Sequence, residues 1–362
     1  MLTYRVPMVP GPTSVPAEVL AAYQVDYASA DLEEEFFRLY ARTEEHLQRI
    51  LLTQNRIAIM SGEGMLALWG ALKSCLKPGD RVLAVATGLF GYGIGDMARA
   101  VGAEVEVVGF DYDGIADPAK VGEAIARFRP KMVTMVHCET PSGTLNPVGA
   151  VGELIARYEV PLFYVDAVSS AAGAALRTDD WRIDLCLVGT QKCFSAPPAL
   201  SILPVSERAW RVMEEVRYQG YDALLPWRDA QEKRYFPYTP YWHGIAALEV
   251  ACRRILDEGL ENVMARHERA AALCREGLRE LGVSLYPRED AYSSPTVTAA
   301  RVPDAIAWET LDARLRRRGV GVGGNYGPLA GKVFRLGHMG TQANEGLVRQ
   351  ALEALRESLR GE

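Results

Sequence analysis

Two charged side chains stand where charge is unusual. Phe163-Tyr164-Val165-Asp166 ends an apolar run with a carboxylate, and Val188-Gly189-Thr190-Gln191-Lys192 ends another with an amine. In an open α/β sheet, ligands bind beyond the carboxyl ends of the strands, although Asp at such a place also serves as a helix N-cap. Lysine is rarely buried without a partner. It either snorkels to the surface or sits in a dry pocket that lowers its pKa and suits it to imine formation. A strand-end Asp followed about 26 residues later by a strand-end Lys is the arrangement a pyridoxal ring requires. The carboxylate keeps the ring nitrogen protonated, so the ring can take up carbanion electrons, and the lysine holds the aldehyde as a Schiff base.

Ser61-Gly62-Glu63-Gly64-Met65 follows a strand candidate and opens a helix candidate. Glycines let backbone N–H groups approach an anion, and a helix N-terminus favours negative charge. The segment serves as a phosphate site or as a plain strand–helix turn. Gly62, Gly64 and Ala67 also satisfy G-x-G-x-x-A, but the acidic residue near the required distance, Asp80, precedes its strand inside a turn, so a dinucleotide reading fails in context. No His/Cys/Asp group has zinc-ligand spacing, so no metal site is expected, and no G-x-S-x-G nucleophile elbow occurs. His137 reads as a buried core histidine or a residue lining the site. Arg314-Leu315-Arg316-Arg317-Arg318 reads as a solvated helix end, where positive charge offsets the dipole.

These residues need a sheet to bring them together. Apolar runs at 57–60, 82–86, 105–108, 132–136, 162–165, 185–188 and 200–205 alternate with helical periodicity at 65–75, 91–101 and 116–127. That alternation predicts an α/β domain with a mostly parallel sheet. After an aromatic loop at 219–240 comes a helical stretch from Gly244 to Leu281, broken near Glu258-Gly259. Strands near 295–300 and 333–336 and helices at 308–318 and 344–359 then follow. The expected organisation is an N-terminal arm (1–20), a large cofactor-binding α/β domain (21–250) and a smaller C-terminal α+β domain (251–362).

The 362 residues, 49% hydrophobic and 24% charged, exclude a disordered chain, and a net charge of −6 argues against nucleic-acid binding. No apolar run reaches the ~18 residues of a membrane span. Met1–Pro16 lacks the basic start and apolar stretch of a signal peptide, and six cysteines show no C-x-x-C spacing. A cytoplasmic protein with reduced thiols and no membrane partner is expected.

Nearly the whole chain resembles the fold-type I, class V pyridoxal-phosphate aminotransferases of the alanine–glyoxylate and serine–pyruvate type. The ordered set comprises Pro10-Gly11-Pro12-Thr13, Ser61-Gly62-Glu63-Gly64, Gly88-Leu89-Phe90-Gly91, Glu139-Thr140-Pro141-Ser142-Gly143-Thr144, Val165-Asp166-Ala167-Val168, Gln191-Lys192, Ala196-Pro197-Pro198, Tyr238-Thr239-Pro240 and Gly331-Lys332-Val333-Phe334-Arg335-Leu336-Gly337. The resemblance implies a homodimeric transaminase with pyridoxal 5′-phosphate on Lys192 and Asp166 at the ring nitrogen. Phe90 would stack on one ring face with Val168 on the other, and Thr140 would reach the ring oxygen or substrate. Gly62, Glu63, Gly64 and Gln191 would surround the phosphate, joined by Thr239 from the neighbouring subunit. Arg335 would clamp the substrate carboxylate, with Thr140, Gly11 and Tyr326 also at the substrate. A tyrosine common near the phosphate is Phe236 here, and Glu63 puts a carboxylate in the phosphate loop while its backbone N–H stays able to serve. Both features are similar to pyridoxamine–pyruvate aminotransferases, which take the unphosphorylated vitamer as substrate and whose Glu at this position meets the hydroxymethyl group. A second Arg of those enzymes is Tyr326 here. A cysteine desulfurase is disfavoured, since the last cysteine, Cys274, falls in a helix and the stacking residue is Phe90.

Overall fold

A computed structural model describes residues 4–361; positions 1–3 of the expected arm and position 362 lie outside the described residues. The chain opens with strand β1 (Val6–Met8) and helices α1 (Ala17–Ala21) and α2 (Glu34–Leu51). Strands and helices then alternate through β2 (Arg56–Ser61), α3 (Gly64–Cys75), β3 (Arg81–Ala86), α4 (Leu89–Ala100), β4 (Glu104–Gly109), α5 (Pro118–Phe128) and β5 (Met132–Val136). A short hairpin of β6 (Cys138–Glu139) and β7 (Thr144–Leu145) precedes α6 (Val148–Arg157), β8 (Leu162–Asp166), β9 (Leu185–Gly189), β10 (Leu200–Val205) and α7 (Glu207–Val216). Helices α8 (Trp242–Glu258) and α9 (Leu260–Glu280) meet at Gly259, whose φ of +88° lets the chain turn between them. The remainder is β11 (Val297–Arg301), α10 (Trp308–Arg317), β12 (Val320–Val322), β13 (Val333–Gly337) and α11 (Glu345–Arg360).

Seven strands form one sheet in the order β2-β10-β9-β8-β5-β3-β4. β10 runs antiparallel to both neighbours and every other pair is parallel. This is the expected fold-type I architecture. β5, β9 and β10 are buried along their whole length, because helices cover both faces of a parallel sheet. The chain passes from β3 outward to β4 and then returns to β5 on the other side of β3. A crevice therefore opens between the carboxyl ends of β3 and β5, the place where such sheets bind ligands.

Two large hydrophobic cores and a small third cluster of Ala299, Leu329 and Val333 result. One surrounds the sheet from Val19 to Val263 and takes in Val297 and Met339; the other joins Val6 and Met8 to Leu311, Phe334 and Leu355. The first strand belongs to the second core because β1 pairs in parallel with β12. Helix α2 adds an element beyond the sequence expectation. It buries Phe36, Phe37, Tyr40 and Leu47 and packs on α8, with Phe36 5.4 Å from Trp242 between ring centroids. No helix among the described residues is long and apolar enough to cross a membrane.

Candidate active site

The strand ends deliver Asp166 and Lys192 to one cavity of about 280 Å³, which Glu63, Phe90, Thr140, Val168 and Gln191 also line. Asp166 is the last residue of β8, and its Oδ1 accepts the Val168 N–H at 2.9 Å. The Asp166 side chain opens into this cavity. Burial pushes its carboxyl up to about 6, against the Val168 N–H and the Lys192 charge, which favour the ionised form. Lys192 lies three residues past β9. Burial pulls its amine down to about 8, and the nearby Arg335 charge adds to the effect. It is neither snorkelling nor ion-paired: its Nζ donates to the Pro10 carbonyl at 2.6 Å, and no carboxylate partners it among the described residues.

The N-terminal segment is therefore part of the site. Gly11 has a φ of +87°, and a Cβ there would fall 2.5 Å from Lys192 Cδ, so glycine alone fits. Thr13 Oγ1 donates to the Lys192 carbonyl at 2.9 Å. Ser14 N donates to Gln342 Oε1 at 2.9 Å, while Gln342 Nε2 donates to the Val9 carbonyl at 2.9 Å. Residues 9–14 are thus stitched to the lysine loop on one side and to the second core on the other.

Arg335 comes from the interior of β13 and is 5% exposed. Its Nε and Nη2 donate to the Gly324 carbonyl at 2.8 and 2.5 Å, and its guanidinium lies 5.1 Å from the centroid of the Tyr326 ring. Burial lowers its pKa, and no carboxylate partners it among the described residues. Tyr326 is 60% exposed, so it forms the outer wall of the arginine's niche.

At the glycine loop, Gly62 takes a φ of +146° and Gly64 begins α3, where a Cβ would press on Val168 at 3.3 Å. The Glu63 side chain folds back onto the helix. It caps α3, its Oε1 accepting the Met65 N–H at 3.0 Å, so a carboxylate already occupies part of the helix end expected to receive an anion. Thr140 hydrogen-bonds through its hydroxyl to Ser169. Gln191 is buried and its Oε1, close to Gly189, has no hydrogen-bond partner. Phe90 is 42% exposed. Thr239 is exposed and does not line its own chain's cavity; its neighbour Tyr238 accepts the Ser61 N–H at 3.0 Å, which holds that loop against β2.

His137 is a core residue set edge-on to Trp181, with burial lowering it to about 4; its Nδ1 has no partner. His338 is also buried, its Nε2 2.7 Å from Thr298 Oγ1 and its Nδ1 3.0 Å from the Pro295 carbonyl. Among the described residues no cluster has the makings of a metal site. The Pro10 carbonyl lay beyond sequence reasoning, since a backbone oxygen carries no side-chain signal. Glu139 had one: it stands just past an apolar strand, as Asp166 does.

Comparison with known proteins converges on one family. The aminotransferase class-V pattern matches residues 8–344. An uncharacterized aminotransferase of Methanocaldococcus jannaschii is 37% identical over 92% of this chain and 87% of its own length. The pyridoxamine–pyruvate transaminase of Mesorhizobium japonicum is 35% identical over 90% of this chain and 84% of its own. The crystal structure of the ureidoglycine–glyoxylate aminotransferase of Bacillus subtilis superposes with a TM-score of 0.95 at 30% identity, covering 100% of this chain and 94% of that one.

Proposed function

This chain belongs to the class-V aminotransferases, a pyridoxal-phosphate-dependent family, and from that premise we propose that it carries an amino group from a small amino acid of the alanine or serine type to glyoxylate or pyruvate in a ping-pong cycle. The observation that carries this reading is a pair of buried cations. Lys192 and Arg335 reach one site from different elements, and neither has a carboxylate partner among the described residues. A buried guanidinium without a counter-ion is costly, and a substrate α-carboxylate supplies the missing charge. Relatives named for pyruvate and for glyoxylate support small oxo acids as acceptors.

The residues present fit the cofactor at its ring end. The amine of Lys192 is lowered by burial, and Asp166 shares its cavity. Lys192 would hold the group and Asp166 would pair with its ring nitrogen. Phe90 and Val168 would flank the ring, with Thr140 at the ring oxygen and Gly62, Glu63, Gly64 and Gln191 around the phosphate. Bound there, the cofactor supplies an electron sink for the substrate α-carbon. Lys192 Nζ, with its pKa lowered to about 8, is suited to accept and return the α-proton near neutral pH. The Pro10 carbonyl fixes the direction of that amine. Arg335 would orient the carboxylate, with Gly11 and Tyr326 bounding the same niche. The test is transfer by the purified chain from alanine to glyoxylate and from serine to glyoxylate or pyruvate; absence of a new oxo acid (pyruvate from alanine, hydroxypyruvate from serine) in all three combinations would overturn it.

A homodimer with composite sites accompanies this reading. Exposed Thr239, outside its own cavity, and the apolar surface of Phe90 and Met65 at the cavity mouth support a covering partner. An active monomer in light scattering would refute it. The division into arm (1–20), large domain (21–250) and small domain (251–362) has support from the second core in its separate C-terminal part, while the first core reaches past position 250 to Val263, Val297 and Met339. Six buried, unpaired cysteines support a cytoplasmic setting.

One observation favours a second reading, in which pyridoxal or pyridoxamine is substrate and not resident cofactor. The Glu63 carboxylate sits at the α3 N-terminus, where a phosphate dianion would meet like charge. Mass spectrometry of the extracted vitamer separates the two: a phosphate-bearing species supports the first reading and a phosphate-free one the second.

A further inference from the structure

The first-turn N–H groups of a helix have no acceptor within it, and a side chain at the N-cap usually supplies one. Helix α4 begins after Gly88, which has no side chain to offer. Its acceptor comes from across the crevice between β3 and β5. Glu139 Oε2 accepts the Phe90 N–H at 3.2 Å and Oε1 accepts the Gly91 N–H at 2.7 Å. Glu139 is fully buried and has no Lys or Arg partner among the described residues. The positive end of α4 is thus what compensates its charge. The fit is close: a Cβ on Gly88 would lie 2.7 Å from Glu139 Cδ.

Glu139 is itself firmly held. It pairs with Thr144 in the β6–β7 hairpin, and its carbonyl accepts N–H bonds from Ser142 at 3.2 Å and Gly143 at 2.8 Å. The next residue, Thr140, ties to Ser169 beside Asp166 and Val168. Phe90, by contrast, is 42% exposed, so its placement depends mainly on its backbone.

We propose that Glu139 is a positioning residue: by capping α4 across the crevice, it fixes the backbone of Phe90 and so sets that ring at the right height over the cavity. The inference rests on the reading of Phe90 as the residue that stacks on the cofactor ring. The ionised groups and polar side chains facing Glu139 are Asp166 across the cavity, the Tyr112 phenol and the Cys138 thiol. Burial pushes the Glu139 carboxyl up to about 7. Protonation would turn one of its two acceptors into a donor and loosen its hold on α4.

The experiment compares E139Q, F90L and the double variant as full-length enzymes. Each is titrated with pyridoxal 5′-phosphate after cofactor removal, with induced circular dichroism of the bound ring and the melting temperature as further readouts. In E139Q the amide nitrogen opposes one backbone N–H. The affinity should weaken roughly tenfold, as for loss of one hydrogen bond to a charged group, and the induced dichroism should shrink. F90L should do the same, and the double variant should lose little more than the worse single variant. Normal affinity and dichroism in E139Q, with both impaired in F90L, would overturn the positioning role. Additive losses in the double variant would also overturn it. An F90L variant indistinguishable from the parent would instead overturn the stacking reading and the inference with it. If E139Q fails to fold, hydrogen exchange of the parent decides. The Phe90 and Gly91 amides should exchange slowly for first-turn positions, and rapid exchange would refute the cap.

Discussion

Replacing Arg335 with lysine probes the carboxylate clamp at its geometry while leaving its charge in place. A guanidinium has five N–H donors. Nε and one Nη2 hydrogen are engaged by the Gly324 carbonyl, which leaves Nη1 and the second Nη2 hydrogen as a two-pronged end for a substrate. A lysine ammonium cannot hold Gly324 and also present that paired end. Losing one limb of a charge-assisted bidentate contact costs about 1.5–3 kcal/mol, or about 10- to 150-fold in kcat/KM. One clamp serves both half-reactions, so amino acid and oxo acid should suffer alike in stopped-flow measurements of each half. The Gly324 carbonyl, deprived of its donors, should also reduce stability by about 1–3 kcal/mol in urea denaturation. The absorbance of the resting enzyme should not change. Normal oxo-acid affinity combined with loss of cofactor would place Arg335 in the fold and not at the substrate.

Lys192→Ala should abolish turnover and the visible absorbance of the bound cofactor, and steady-state activity above a trace would show the lysine misassigned. Relative to Lys192→Met, the cofactor-free parent should gain stability between about pH 8 and 10.5. The Lys192 amine is lowered to about 8 on folding, so in that window it binds more protons in the unfolded chain and its own contribution to stability rises with pH, by on the order of 3 kcal/mol. The difference in urea midpoint between parent and variant should move in the parent's favour across that range, against a shared loss of stability from the buried thiols, and a constant difference would refute the lowered amine. Gly11→Ala must place a Cβ against the Lys192 side chain from a positive φ; the expected result is a destabilisation of about 1–3 kcal/mol and a lower ratio of cofactor to chain, and a full complement would argue against this contact.

Much of the site was legible because the strands announce themselves. Where an apolar run stops at a charged residue, as at Asp166 and Lys192, the strand's end and the residue's placement follow from one pattern. All seven strands of the central sheet coincide with apolar runs for the same reason. Helix α2 went unread although Phe36, Phe37, Tyr40 and Leu47 follow a helical period, since many charges dilute its apolar face. The strands β1 and β12, of three residues each, exist only because they pair with each other. The direction of Glu63, folded back onto α3, and the ring of Tyr326 over Arg335 are rotamer choices made by tertiary surroundings. No residue type encodes them. The fold-type I likeness supplied roles for side chains but none for the Pro10 carbonyl, which only the assembled arm brings to Lys192.

That arm also orders events during synthesis. Ser14 and Gln342, joined by a hydrogen bond, are 328 positions apart, and β1 waits nearly as long for β12. At about 5–20 residues per second, the ribosome needs roughly 15–65 s to make the intervening chain. Throughout that interval the sheet bearing Asp166 and Lys192 can form, but Pro10 has no second core to hold it against the amine. The lysine pocket is therefore among the last parts of the molecule to close, and capture of a cofactor in its final geometry belongs to the finished chain and not to the nascent one.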